Sequence, residues 1–190
     1  MSENKDLMLD VSQAEELKLA FRRHGYTNKD IKTLSEKGIL GEVLKVIKGQ
    51  AEIRMIEHLI DCDAAPFIPD GWSVENHKPG GLFKFDPAKI SLYLSKKQKK
   101  GDYSVGTELR KELGKMSVLN ANVLDCLLAN PVLIPEEWKG KAIFFWGTIY
   151  RNSNGSLYVR CLRWHGSHWN WNCHFLDNNF NSDSPAALAS

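Results

Sequence analysis

A chain of 190 residues with 43% hydrophobic and 25% charged residues carries enough apolar material for a packed core, which excludes an intrinsically disordered protein. The formal net charge of +2 is too small for the dense cationic footprint of a duplex-binding protein. No apolar run approaches a membrane span, and MSENKDLMLD lacks the basic start and apolar stretch of a signal peptide, so a cytoplasmic setting without membrane contact is expected.

Residues 12–50 read as three short helices. Ser12 with Glu15 three positions later resembles a capping box, and Gly25 is a natural stop. Thr27 is placed to cap a second helix that carries Ile31 and Leu34 and ends at Gly38. Leu40, Val43, Leu44 and Ile47 form a third apolar stripe, closed by Gly49. A helical unit over 1–50 and an α+β core over 51–190 are therefore expected. GYTNKDIKTLSEKG has the look of a helix–turn–helix, but residues 1–60 balance acid against base, and helix packing alone explains the stripe.

The pattern then changes. EIRMIEHLIDCDA predicts a strand up to about residue 60, whereas APFIPDGW and NHKPGG are punctuated by proline and glycine as loops are. ISLYLS alternates like a strand, and KKQKKGD reads as a solvated turn. Thr107 is a candidate cap for a helix with Leu109 and Leu113. NANVLDCLLANP predicts another, burying Val123, Leu124, Leu127 and Leu128. The tail NSDSPAALAS looks lightly packed.

From Lys141 onward the pattern is that of strands: AIFFWGTIYR, LYVRCLRW and HWNWNCHF, separated by NSNG and HGS. They predict a three-stranded antiparallel meander. A type I turn over Ser153 and Asn154, with Gly155 in the left-handed bulge position, pairs Tyr150 with Tyr158. Carried through all three strands, this register sorts an apolar face (Phe145, Gly147, Ile149, Val159, Cys161, Trp169, Trp171, Cys173, Phe175) from a polar-aromatic one. The second face holds Trp146, Tyr158, Arg160, Trp164, His168, Asn170 and Asn172, with Thr148, Tyr150 and His174. Those first seven are the candidate ligand-binding residues. Flat rings flanked by Arg, Asn and His suit single-stranded nucleic acid, a glycan or a protein partner. The competing reading is that helices cover this face and bury its rings. The exposure of Trp164 and Tyr158 decides between the two.

The same segment holds two cysteines and three histidines, but they do not predict a metal site. His168 and His174 lie about 20 Å apart along one strand, and zinc donors must converge on one point. Cys62, Cys126, Cys161 and Cys173 are too widely spread for a disulfide framework and include no CxxC, which fits a reducing compartment. Asp61 and Asp63, one residue apart at a strand end, could serve a metal-assisted hydrolase or phosphotransferase, with His58, Asp70 or His77 nearby. Capping of a turn is their ordinary role. No phosphate-loop, dinucleotide, nucleophile-elbow or zinc-protease motif is present, and no cofactor is expected.

Read in order, AFRRHGYTNKDIKTLSEKG, IDCDAAPFIPDGWSVENHKPGG, LNANVLDCLLANPVLIPEEWKGK and FFWGTIYR make the chain resemble a family of uncharacterised bacterial proteins. The resemblance spans nearly the whole chain and is most specific in IPEEWKGKAIFFWGTIYR. It implies a bacterial cytoplasmic setting and one continuous unit, and brings no activity, cofactor or site residue. The leading expectation is a non-catalytic recognition module. The alternatives are the Asp61/Asp63 enzyme and a structural or self-associating protein.

Overall fold

The computed structural model describes residues 9–36, 38–54 and 57–190, and the chain divides into two units, 1–56 and 57–190. The first unit holds α1 (Val11–Arg23), α2 (Asn28–Glu36) and α3 (Ile39–Ile47). Asp10, not Ser12, caps α1: its carboxylate accepts from Gln13 N at 2.8 Å while the Gln13 side chain accepts from Asp10 N. Ser12 therefore falls inside the first turn, and Glu15 pairs with Lys18. Thr27 caps α2 as expected, exchanging bonds with Asp30. Gly25, Gly38 and Gly49 all take the positive φ that the ends of these helices require. Residues 51–54 are not a strand, and residues 55 and 56 of that expected strand lie outside the described residues.

The second unit is α+β. Its main sheet contains β4 (Ile90–Tyr93), β10 (Ala186–Ala189), β6 (Ala142–Arg151), β7 (Leu157–His165) and β8 (His168–Phe175), in that order, with β2 (Ser73–His77) also paired to β6. The three aromatic strands are thus consecutive antiparallel neighbours inside a mixed six-stranded sheet, not a free-standing meander: β10 runs parallel to β6. Two small ladders flank it, β1 (Leu59–Asp61) with β3 (Leu82–Lys84) and β5 (Ser104–Val105) with β9 (Asn179–Phe180). No helix among the described residues is long and apolar enough to cross a membrane.

Asn76 and His77 of the expected NHKPGG loop belong to a strand, and so does the end of the tail expected to be lightly packed. SVENH pairs with β6, and the AALA tail is a central strand with Ala187 fully buried. Alanine has little β-propensity, so only tertiary packing between β4 and β6 makes that strand. KKQKK begins with a capped helical turn, α4 (Lys96–Lys99), whose Gln98 is buried and donates to the carbonyls of Asn181 and Ser184.

Both sheet faces are covered. On one side α6 (Ala121–Ala129) packs Val123, Leu124 and Leu127 against Ile143, Phe145 and Leu162. On the other, Leu109 and Leu113 of α5 (Gly106–Leu113) join Phe144, Trp146, Ile149, Val159, Cys161 and Phe180. Each fully buried large side chain contributes about 2 kcal/mol.

β6 does not keep one register. Its end pairs Tyr150 with Tyr158, as the Gly155 turn predicts, with Gly155 at φ 81°. Its start pairs Phe144 with Cys161, so β6 advances five residues from Phe144 to Ile149 while β7 moves back two, from Cys161 to Val159. The odd shift exchanges the faces: Phe145 turns to the α6 side and Trp146 to the α5 side. The cause lies at Gly147. Asn120, the N-cap of α6, sits so close that a Cβ on Gly147 would lie 2.8 Å from its Cα and Cβ. Gly147 N donates to Leu119 O, and Lys78 N donates to Gly147 O.

Gly147→Ala forces a methyl group against the Asn120 backbone here. We expect a loss of about 3 kcal/mol, the upper end for overpacking, read from the urea unfolding midpoint.

Candidate functional site

The β7–β8 turn settles where the seven expected ligand residues lie. It contains only Gly166 and Ser167, with Gly166 at φ 65°, so His165 faces His168 and Trp164 faces Trp169. A turn of His165, Gly166 and Ser167 would have paired Trp164 with His168. The shorter turn turns all of β8 over relative to the expected sorting. Tyr158, Arg160 and Trp164 share the α6 side with Trp169, Trp171, Cys173 and Phe175. His168, Asn170 and Asn172 lie on the opposite side with Val159 and Cys161. Trp146 is buried on that side too, beneath α5. The seven residues therefore do not form one surface.

Arg160 is not a surface group. It is 1% exposed and forms a two-pronged ion pair with Asp125 of α6, at 2.6 and 3.1 Å. Its guanidinium lies between the Trp171 and Phe67 rings, 4.7 and 5.1 Å from their centroids. Burial lowers its pKa, but the bonds and charge of Asp125, helped by Tyr150, outweigh this and leave a net upward shift. Tyr150 Oη in turn donates to Phe67 O, which anchors the 64–72 segment to the sheet. The Arg160 Nε is buried without a partner.

Around this anchor the α6 side carries a row of half-buried rings. Trp164 meets Trp169 at 5.4 Å, Trp171 meets Phe67 at 5.8 Å, and Phe175 meets Tyr158 at 5.4 Å, with Trp72 a further 4.6 Å from Tyr158. Phe67 is 51% exposed. The row spans about 20 Å along β8, from Trp169 to Phe175, at the rise of an extended strand. Tyr158 and Trp164 are thus neither buried nor free. Helix α6 takes the middle of the face, over Leu162, and leaves the rings half-buried around it. Phe67 and Trp72 had no site reading in sequence. Their only signal was two aromatics within the proline-punctuated APFIPDGW, which local pattern cannot aim at a sheet.

The polar ends of these rings are unpartnered. Among the described residues no acceptor takes the indole N–H of Trp72, Trp164, Trp169 or Trp171, none pairs with the Tyr158 hydroxyl, and none of these atoms is sealed from solvent. The two cations in contact with the row are neutralised: Arg160 by Asp125, and Lys139, 4.0 Å over the Trp164 ring, by Glu136.

Asp61 and Asp63 act on the backbone. Asp61 Oδ1 accepts from Asp63 N and Ala64 N, and Asp63 Oδ1 accepts from Gly80 N and Gly81 N, both at 2.9 Å. His77 is drawn to their neighbour rather than to them: its Nε2 donates to Cys62 O and its Nδ1 faces Thr148 Oγ1 at 2.8 Å. Among the described residues no three His, Cys, Asp or Glu side chains converge as metal donors. All four cysteines are free thiols. Burial pushes Cys161 up to about 12, and Cys173 and Cys62 to about 11, the last with help from Asp63 and Asp61. Thiols held this far above neutrality are poor nucleophiles.

No protein-family model, curated protein or solved structure matches the chain.

Asp125→Asn leaves the Arg160 charge buried without its counter-ion, so a loss of about 3 kcal/mol is expected. Arg160→Met, which removes the charge itself, should cost less. Denaturant unfolding of the two variants side by side checks the order.

Proposed function

We infer that the chain is a non-catalytic recognition module, and that its binding surface is the ring row on the α6 side: Trp72, Tyr158, Trp164, Trp169, Trp171 and Phe67. One observation carries this reading. The rings are held in place by packing, yet their edges and their N–H and O–H groups reach solvent unpartnered. Held aromatics with free polar ends suit a ligand that is apolar on its faces and polar on its rim. A neutral glycan has that chemistry, since a sugar ring presents C–H faces and an equatorial hydroxyl edge. Nucleic acid is disfavoured, because its phosphates require unpaired cations along the row and the two present are already neutralised. Arg160 serves this surface from beneath, fixing Trp171 and Phe67 rather than touching ligand. His168, Asn170 and Asn172 are outside it, and Asp61 and Asp63 shape the neighbouring loop. A bacterial cytoplasmic setting belongs to the same proposal.

Self-association through the helical unit is the second reading. None of the described residues of that unit is buried, and Leu40, Leu44 and Ile47 of α3 stand exposed as one apolar stripe.

Titration with a panel of neutral oligosaccharides should change the intrinsic tryptophan fluorescence saturably. Trp164→Ala should weaken binding about tenfold, as loss of one aromatic anchor does, and oligothymidylate should produce no change. No response to any sugar removes the reading. For the second reading, light scattering should find a dimer that Leu44→Glu converts to monomer; a wild-type monomer contradicts it.

A further inference from the structure

Besides the ring row, the second unit contains a cleft of about 340 Å³ on the α5 side, whose lining includes Lys78, Arg110, Leu113, Val118, Trp146 and Ile149. That volume lies at the small end of ligand pockets. Its lining is divided chemically. Leu113, Val118, Ile149 and the Trp146 ring supply an apolar wall. Lys78 and Arg110 supply two cations, and no Asp or Glu lines the cleft.

Neither cation is neutralised. Lys78 Nζ donates to Met116 O at 2.6 Å, which holds the ammonium in place and leaves two of its protons free. Arg110, half-buried on α5, makes no ion pair or hydrogen bond among the described residues. Most lysines and arginines of this unit that touch a partner touch a carboxylate, as Lys84, Lys97, Arg151 and Arg160 do. Trp146 adds a third donor. It is 6% exposed, its indole N–H has no acceptor among the described residues, and that N–H is not sealed from solvent. A nearly buried, unpartnered donor beside two unpaired cations and an apolar wall is a constellation that lacks one thing, an anion with a flat apolar body.

We propose that this cleft binds a small aryl or heteroaryl carboxylate, its ring against Trp146, Leu113 and Ile149 and its carboxylate between Arg110 and Lys78. Arginine is suited to the carboxylate because its planar fork meets two oxygens at once. The backbone around the cleft is fixed by the same contacts that hold Gly147 to Asn120, so the site is formed before ligand arrives. It is independent of the ring row, which lies across the sheet.

Calorimetric titration of the full chain with benzoate and indole-3-acetate tests this, with benzylamine and inorganic phosphate as the two half-ligands. Both carboxylates should bind, indole-3-acetate the tighter, and neither half-ligand should match them. Arg110→Gln, a change on a half-exposed helix position, should weaken binding about tenfold, the worth of one charge-assisted hydrogen bond. Arg110→Glu should abolish it, and Trp164→Ala should leave it unchanged. Absence of carboxylate binding, equal binding of benzylamine or phosphate, or indifference to Arg110→Glu each overturns the proposal.

Discussion

The approach of Asn120 to Gly147 is the constraint on which the second unit depends. At that point the start of α6, the middle of β6, the end of β2 and the turn after β1 converge within hydrogen-bonding distance. Asn120 Nδ2 donates to the carbonyls of Cys62 and Lys78, and its Oδ1 accepts from Asn122 N. Thr148 Oγ1 accepts from Ala121 N and donates to His77 Nδ1. His77 Nε2 must then carry the proton, because Cys62 offers it only a carbonyl. The buried polar side-chain atoms of Asn120 and Thr148 are used, and the bonds to Cys62, Lys78 and Thr148 tie three segments to the helix start. Such a network is stable only when complete, since an abandoned buried donor or acceptor costs about 1–3 kcal/mol.

The consequences run outward from there. Helix α6 must leave the sheet at Gly147, so β6 bulges, and its side chains change sides. Ile143 and Phe145 go to α6, Phe144 and Trp146 to α5, and the sheet acquires a core on each face. The same exit angle lays α6 across Leu162 and sets Asp125 beneath Arg160. Arg160, so paired, packs against Trp171 and Phe67, and the rings of the row stay half-buried. Trp146, turned under α5, lines the cleft together with Lys78 and Arg110. One close backbone contact thereby shapes both candidate surfaces, one on each side of the sheet.

This explains what could be read from the sequence. The Gly155 hairpin was legible because Asn and Gly in a short turn have few options, and Tyr150 does face Tyr158. The helices were legible from their apolar spacing, α6 especially, where Val123, Leu124 and Leu127 are all fully buried, though Leu128, expected with them, is only half-buried. The face assignment failed in two places for physical reasons that no local pattern contains. At Gly147 a tertiary contact overrode strand register. At the second turn the chain uses two residues, Gly166 and Ser167, where HGS offers three, and β8, polar and aromatic at alternate positions, fits either choice. Arg160 looked like a surface group because its partner, Asp125, sits 35 residues away on another element. The AALA strand was illegible because alanine becomes a strand residue only where neighbours leave no room for more.

Recognition by the ring row requires rings held from below and open above. Of the six tryptophans, four belong to the row, while Trp138 and Trp146 are buried in separate cores. The most direct measurement follows the six indole N–H signals in a ¹⁵N–¹H correlation spectrum during titration with a bound neutral oligosaccharide. Shifts confined to Trp72, Trp164, Trp169 and Trp171 are the expected result. Shifts centred on Trp138 or Trp146, or none among the four, would contradict it.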